Sequence, residues 1–221
     1  MKINKLLVAN RGEIACRIIK TAKKLGIKTV SIYSEADVDA LHVRISDESV
    51  YIGESSPAES YINITKIVAA AADSKSDAIH PGYGFLSENS SFADACNDAG
   101  ILFVGPSPSS IALMADKAQA KRVMIDSGVT CVPGYQGEAQ DITTFAKEAA
   151  KIGYPILIKA SAGGGGRGMR LVNKREDLEE ATTAAKSEAI NAFGSGELIL
   201  EKAIIRPRHV EVQVFGDSQG N

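Results

Sequence analysis

The chain has 221 residues, with 25 Lys+Arg against 27 Asp+Glu and a formal net charge of −2. That length suits one large domain or two modest ones, and 44% apolar with 24% charged residues is the make-up of a soluble protein with a proper core. The near-neutral balance lacks the basic excess of a nucleic-acid binder, no run nears the ~18 apolar residues of a membrane span, and the start, with Arg11 and Glu13 after a short apolar stretch, is no secretory signal.

Lys5-Leu6-Leu7-Val8-Ala9 is a short apolar run ended by Asn10-Arg11-Gly12, which reads as a first strand. Ile14, Ile18, Ala22 and Leu25 then fall three or four apart, the stripe of a helix that Gly26 stops. A β-branched strand follows at 28–33, a helix at about 63–72, a strand at 77–80, a helix at 92–99 and a strand at 101–104. The alternation predicts an α/β domain: a doubly wound parallel sheet with helices on both faces. Residues 111–127 predict a connecting helical stretch. A second, α+β unit then starts near Cys131, with a helix at 142–151, a strand at 155–160, a glycine cluster, a strand at 169–172, a helix at 176–192 and a strand at 197–201. Residues 209–215 alternate polar and apolar, which predicts a half-buried strand before a turn cluster at 216–221. The expected divisions are 1–106, 107–130, 131–203 and 204–221, the last the start of a third domain.

Three scattered cysteines, Cys16, Cys96 and Cys131, form no CxxC pair. They suit reduced thiols in a cytosolic protein better than a disulfide framework or a zinc site.

The most chemical stretch runs from Tyr154 to Val172. Glycines at 163–166 and 168 let backbone approach a ligand and turn N–H groups toward an anion. Gly163, Gly165 and Gly168 satisfy GxGxxG, but a strand follows where a dinucleotide site needs a helix. Met169 stands where a P-loop has its lysine. A kinase loop has its lysine on the strand after the glycines, whereas Lys159 comes before them. What remains is another kind of nucleotide flap, or a glycine linker. A linker would not be clamped by strands and supplied with Lys159, Arg167 and Arg170.

This arrangement resembles the ATP-grasp fold, and flanking segments narrow the resemblance to biotin carboxylase. They are Val8-Ala-Asn-Arg-Gly-Glu-Ile-Ala15, His80-Pro-Gly-Tyr-Gly-Phe-Leu-Ser-Glu-Asn89, Met114-Ala-Asp-Lys117, Lys159 through Met169, and Arg206-Pro-Arg-His-Val-Glu-Val-Gln213. The resemblance implies an enzyme in which ATP phosphorylates bicarbonate to carboxyphosphate, whose CO2 carboxylates a ureido nitrogen of biotin. It implies that Lys117 and Lys159 contact the phosphates under a flap of Gly165 and Gly166 that ends at Met169. It places Glu201, Lys202, Ala203 and Ile204 at adenine, His209 by the ribose and Glu211 at the edge of the reaction site. It implies ATP, Mg2+ or Mn2+, and biotin as cofactors. The implied partners are bicarbonate, a biotin carboxyl carrier protein or domain, a carboxyltransferase component and a second copy in a homodimer. The expected setting is the cytoplasm, or the mitochondrial matrix after removal of a transit peptide.

Each role has a plainer competitor. Lys117 could belong to a solvated helical face, Glu201 and Lys202 to a strand end, and His209 and Glu211 to the exposed side of a sheet. His80 could only fix the turn before Pro81, Tyr83 could line the biotin pocket, and Glu88 is a helix or turn charge. Lys159, a lone charge ending a buried strand, is harder to explain structurally. The family's metal-binding carboxylates, bicarbonate-holding residues and general base match no position here. The expectation is therefore that these 221 residues alone release no ADP with bicarbonate and biotin. The competing functions are another ATP-grasp ligase, of carbamoyl-phosphate or purine-biosynthesis type, and a non-catalytic split subunit.

Overall fold

The computed structural model describes residues 2–162, 168–217 and 219–221. Contacts divide the chain into two compact units between residues 115 and 116.

The first unit holds β1 (Lys5–Val8), β2 (Lys28–Ser34), β3 (Glu48–Gly53), β4 (Ala78–His80) and β5 (Leu102–Phe103) in one sheet, ordered β3-β2-β1-β4-β5. Every neighbouring pair is parallel. The helices are α1 (Gly12–Lys24), the short α2 (Leu41–Ile45), α3 (Ile64–Asp73), α4 (Ser90–Asp98) and α5 (Pro108–Ala115). Alternate strand residues explain the two-sided cover. Leu7, Val30, Ile32 and Ile79 pack with Ile67, Ala71, Phe92 and Cys96 of α3 and α4, while Leu6, Val8 and Ala78 pack with Ile14, Ile18 and Ala22 of α1 on the opposite face. Side-chain oxygens of Asn63 and Asn89 cap α3 and α4 by accepting from the N–H of Lys66 and Phe92.

The expected doubly wound sheet is therefore present, with local differences. Leu25 was expected on the apolar stripe of α1, but it lies past the helix end and is 71% exposed. The sequence reading missed β3 and α2. In β3 only Ile52 is buried, so this edge strand carries a weak apolar signal, and α2 has five residues. The 111–127 stretch is two helices, because Asp116 interrupts it and caps a new one.

The second unit holds α6 (Lys117–Asp126), β6 (Gly134–Tyr135), α7 (Ile142–Ile152), β7 (Ile156–Ala160), β8 (Arg170–Val172), α8 (Leu178–Phe193) and β9 (Leu198–Lys202). Its sheet is antiparallel throughout, ordered β6-β9-β7-β8. Ile156, Ile158 and Ala160 of β7 and Leu198 and Leu200 of β9 face a core made with Phe145, Ala149, Leu178, Ala185 and Ala189 of α7 and α8. The period of two sends Leu157 and Lys159 to the other face.

The strand expected at 209–215 is absent. Residues 203–217 hold neither helix nor strand, and Val210, Val212 and Val214 are 76–85% exposed. Alternation sorts side chains only when a backbone partner and a covering layer exist, and among the described residues neither meets this segment. No helix of the described residues is long and apolar enough to cross a membrane.

Candidate active site

Open parallel sheets bind ligands beyond the carboxyl ends of their strands, where the strand order reverses. Here that point lies between β1 and β4, and the chain fills it with its own groups. The Asn10 amide, on a residue only 3% exposed, donates to the carbonyls of Pro81 and Tyr83, both at 2.8 Å. Gly82, at φ +67°, has no room for a side chain: a Cβ there would sit 2.9 Å from Asn10 Nδ2 and 3.0 Å from Ile14 Cγ1. Its N–H donates to His80 Nδ1 at 3.0 Å. Burial first, and then the nearby Arg17 charge, pushes the His80 imidazole below its ordinary pKa, which keeps it neutral as that acceptor. Tyr83 bonds Glu13, and Glu88 immediately precedes the cap of α4.

Next to this junction Arg11 grips Asp37, with Nε 2.6 Å from Oδ2. Tyr61 adds its hydroxyl at 2.7 Å while accepting the N–H of Ser34. The Arg11 hydrogen bond holds the Asp37 carboxyl down at about 2 despite its burial. Burial and the Asp37 bond push Tyr61 up to about 12. Sequence reasoning missed this network, since Asp37 and Tyr61 lie in segments without periodic pattern.

The second unit has a different kind of end. Lys159 stands opposite Ile199 and Leu157 opposite Glu201, so Lys159 and Glu201 are diagonal neighbours on the face away from the α7–α8 core. Their side chains form an ion pair. From α6, Lys121 Nζ reaches the other oxygen of the same carboxylate, at 2.8 Å. Burial opposes ionisation of Glu201, but hydrogen bonds from Lys121 and Lys159 outweigh it and hold the carboxyl below its ordinary pKa. Gly134, opposite Glu201 on β6, makes the approach of Lys121 feasible: a Cβ there would come within 2.7 Å of Lys121 Nζ and 2.3 Å of the Leu200 carbonyl oxygen.

Asp116 ties α6 to the end of β7. It accepts from the N–H groups of Ala118 and Gln119 at 2.9 and 3.0 Å and from the Ser161 hydroxyl at 2.8 Å. Burial works against its charge, but these donors hold its pKa low. The Lys117 N–H in turn donates to the Ser161 carbonyl at 3.1 Å. Lys117 therefore begins its helix beside the strand end that carries Lys159. On the far side of the glycine run, Gly168 (φ +67°) accepts the Ala160 N–H at 3.2 Å and returns the chain to β8. A Cβ on Gly168 would press within 3.0 Å of Ala160 Cβ.

Gly165 and Gly166, with Gly163 and Arg167, lie outside the described residues. Met169 is 40% exposed just before β8. Arg170 pairs with Glu188 of α8 at 2.8 Å. Glu201 and Lys202 end β9, and both side chains are engaged: Lys202 Nζ donates to the carbonyls of Gly153 and Tyr154, both at 2.9 Å. The N–H groups of Lys202 and Ala203 go to Pro133 and Pro155 at 2.8 and 3.0 Å. Ile204 is exposed. His209 and Glu211 bond each other at 2.8 Å in the segment without secondary structure. The structure thus brings Lys159 and Glu201 together, adds the unanticipated Lys121, and sets His209 and Glu211 apart from them. Lys121 sits four residues after Lys117, one turn along the same helix, and that spacing was the available signal.

Among the described residues no three His, Cys, Asp or Glu side chains gather as a metal site. Glu201 is occupied by lysines and Asp116 by backbone donors and the Ser161 hydroxyl, so neither fits as a metal ligand in this arrangement.

A parallel, doubly wound domain followed by an antiparallel sheet with a lysine leading into a glycine run has the organisation of an ATP-grasp protein. Residues 2–111 match the biotin carboxylase N-terminal domain, and residues 116–221 match the carbamoyl-phosphate synthase L chain ATP-binding domain. The chain is 50% identical to a biotin carboxylase of a Nostoc species over its whole length and 49% of that relative's. It is 53% identical to the mitochondrial methylcrotonoyl-CoA carboxylase subunit alpha of Dictyostelium discoideum, over 99% of the chain and 31% of the relative. Among solved structures, a biotin carboxylase–βγ-ATP complex from Campylobacter jejuni superposes with a TM-score of 0.95 at 51% identity, covering 100% of this chain and 49% of that one. A biotin carboxylase domain of Hydrogenobacter thermophilus 2-oxoglutarate carboxylase, determined with MgADP and bicarbonate, gives 0.86 at 49% identity, over 92% and 45%. The chain belongs to the biotin carboxylase family, and it spans between about a third and a half of the length of these relatives.

Proposed function

We propose that the chain supplies the nucleotide-binding part of an ATP-dependent biotin carboxylase. In that reaction a bicarbonate oxygen attacks the γ-phosphorus of ATP, ADP leaves, and the carboxyphosphate formed releases phosphate and CO2. The CO2 carbon then bonds to a deprotonated ureido nitrogen of biotin. Phosphoryl transfer rests mainly on positioning and on compensating charge, and this chain offers Lys159 and Lys117 for that role. Lysine is a compact charge suited to phosphate, and exclusion of water beneath a glycine flap strengthens the attraction. In this reading Gly165, Gly166 and Met169 form the flap. Backbone and side-chain groups of Glu201, Lys202, Ala203 and Ile204 hold adenine, His209 turns to the ribose and Glu211 to the edge of the reaction site. Magnesium or manganese would neutralise phosphate charge when bound.

Lys159 carries this reading: it is the one charged residue of the apolar strand β7, it precedes the glycine run in sequence, and it is balanced by Glu201. In the same reading the acceptor is biotin on a carrier protein or domain, with a carboxyltransferase component beyond it, in a homodimeric enzyme of the cytoplasm or mitochondrial matrix; the likeness to biotin carboxylases supports it. The match of residues 116–221 to a carbamoyl-phosphate synthase domain supports a second reading, a bicarbonate-phosphorylating ligase with an amine acceptor. ADP release separates the two. An enzyme of the relatives' length carrying these residues is expected to need bicarbonate and to respond to free biotin but not to ammonia or glutamine. Residues 1–221 alone are expected to give none. Stimulation by an amine donor without any by biotin would overturn the first reading.

A further inference from the structure

Lys159 cannot serve two anions at once. Its ammonium is held by Glu201, and to reach a phosphate it must leave that carboxylate. Glu201 is largely enclosed, with 16% of its side chain exposed, and an enclosed carboxylate stripped of its only counter-charge is strongly disfavoured. The second lysine changes that balance. Lys121 holds the other carboxylate oxygen at 2.8 Å and is itself only 9% exposed. Its Nζ fits over Gly134, where any side chain would displace it. Asp116, anchored by Ser161 and the start of α6, fixes the helix from which Lys121 projects.

We propose that Lys121 is a positioning residue for nucleotide binding: it retains Glu201 so that Lys159 is free to move from the carboxylate to an ATP phosphate. Glu201 thereby parks Lys159 in the empty site, and Lys121 keeps the carboxylate compensated in the filled one. Three residues, two positive and one negative, leave one positive charge to be shared with the ligand. Without Lys121 the carboxylate would hold Lys159 as its sole partner and compete with the phosphates for it. The inference rests on the reading of Lys159 as a phosphate contact, and the experiment separates the two.

ADP and adenosine are titrated into the intact protein by calorimetry, with Lys159→Ala, Lys121→Met and Lys121→Arg. Lys121→Met is expected to weaken ADP about tenfold, the equivalent of ~1.4 kcal/mol, and to leave adenosine within twofold. Lys121→Arg should keep ADP affinity. Unchanged ADP affinity in Lys121→Met, or an equal loss for adenosine and ADP, would overturn the role of Lys121. Unchanged ADP affinity in Lys159→Ala would instead overturn the phosphate reading of Lys159. A measurement on the unaltered protein covers the case in which Lys121→Met does not fold: on ADP addition the side-chain NMR signal of Lys159 should shift, while the hydrogen bond from Lys121 to the Glu201 carboxylate persists. Loss of the Lys121–Glu201 bond contradicts the division of roles, and an unmoved Lys159 signal contradicts the phosphate reading.

Discussion

At the strand-order reversal of the first unit, where doubly wound sheets commonly hold ligands, Asn10 spans the gap and bonds two carbonyls of the 80–84 turn. On the second sheet, Lys121, Glu201 and Lys159 are bonded chiefly to one another and lie beside a glycine run. Both regions carry conspicuous sequence motifs and both bury polar groups. The difference lies in charge. In the first region the Asn10 amide meets neutral carbonyls, and the buried Asp37 carboxylate is matched within the Arg11–Asp37–Tyr61 set. The second carries one surplus positive charge that an anion can claim. A buried polar network that is complete stabilises, while one with a charge to spare binds.

The comparison breaks if variants in the first region alter ligand affinity, or if variants in the second act only through stability. The largest expected effect is on Lys159→Ala. Removal of a positioned charge-stabilising donor costs about 100-fold in turnover, to be read as bicarbonate-dependent ADP release in an enzyme of the relatives' length. Arg11→Met should come next. It leaves the enclosed Asp37 carboxylate with Tyr61 and Ser34 but no cation, for a loss of about 2 kcal/mol in urea unfolding, with ADP affinity unchanged within twofold. Asn10→Ala removes two donors and orphans two carbonyls, for about 1–2 kcal/mol and again no effect on affinity.

The smallest expected effect is in acid. Asp37 has its carboxyl lowered from 3.8 to about 2 by Arg11. A depressed folded-state pKa adds stability that is complete above the unfolded value and fades as pH falls through the folded one. The contribution is therefore lost between about pH 4 and pH 2. In Arg11→Met the acid unfolding midpoint should rise, followed by circular dichroism. An unchanged midpoint would mean that Arg11 does not set the Asp37 charge.

Much of this was legible in the sequence. The apolar runs at Leu6–Val8 and Ile79, and the stripe of Ile14, Ile18 and Ala22, report faces that are in fact buried. Lys159 stood out because a charge on a buried strand demands a reason, and the structure supplies Glu201 on the same face. Lys121 showed in the sequence only as a second lysine one helical turn after Lys117. Its pairing depends on α6 being anchored through Asp116 and Ser161 and on the missing side chain at Gly134, facts of tertiary placement rather than pattern. Likewise the seat of the Lys202 ammonium on the carbonyls of Gly153 and Tyr154 depends on tertiary neighbours that no sequence pattern shows. The alternation of 209–215 predicted a strand because periodicity reports a face, whereas a strand also needs a neighbour.

Amide hydrogen exchange of the intact protein with and without ADP tests the contrast between the two regions most directly. The account predicts added protection at residues 157–161 and 199–204, with residues 10–14 and 80–84 unchanged. Protection confined to residues 10–14 and 80–84 would place the nucleotide in the wrong sheet and contradict it.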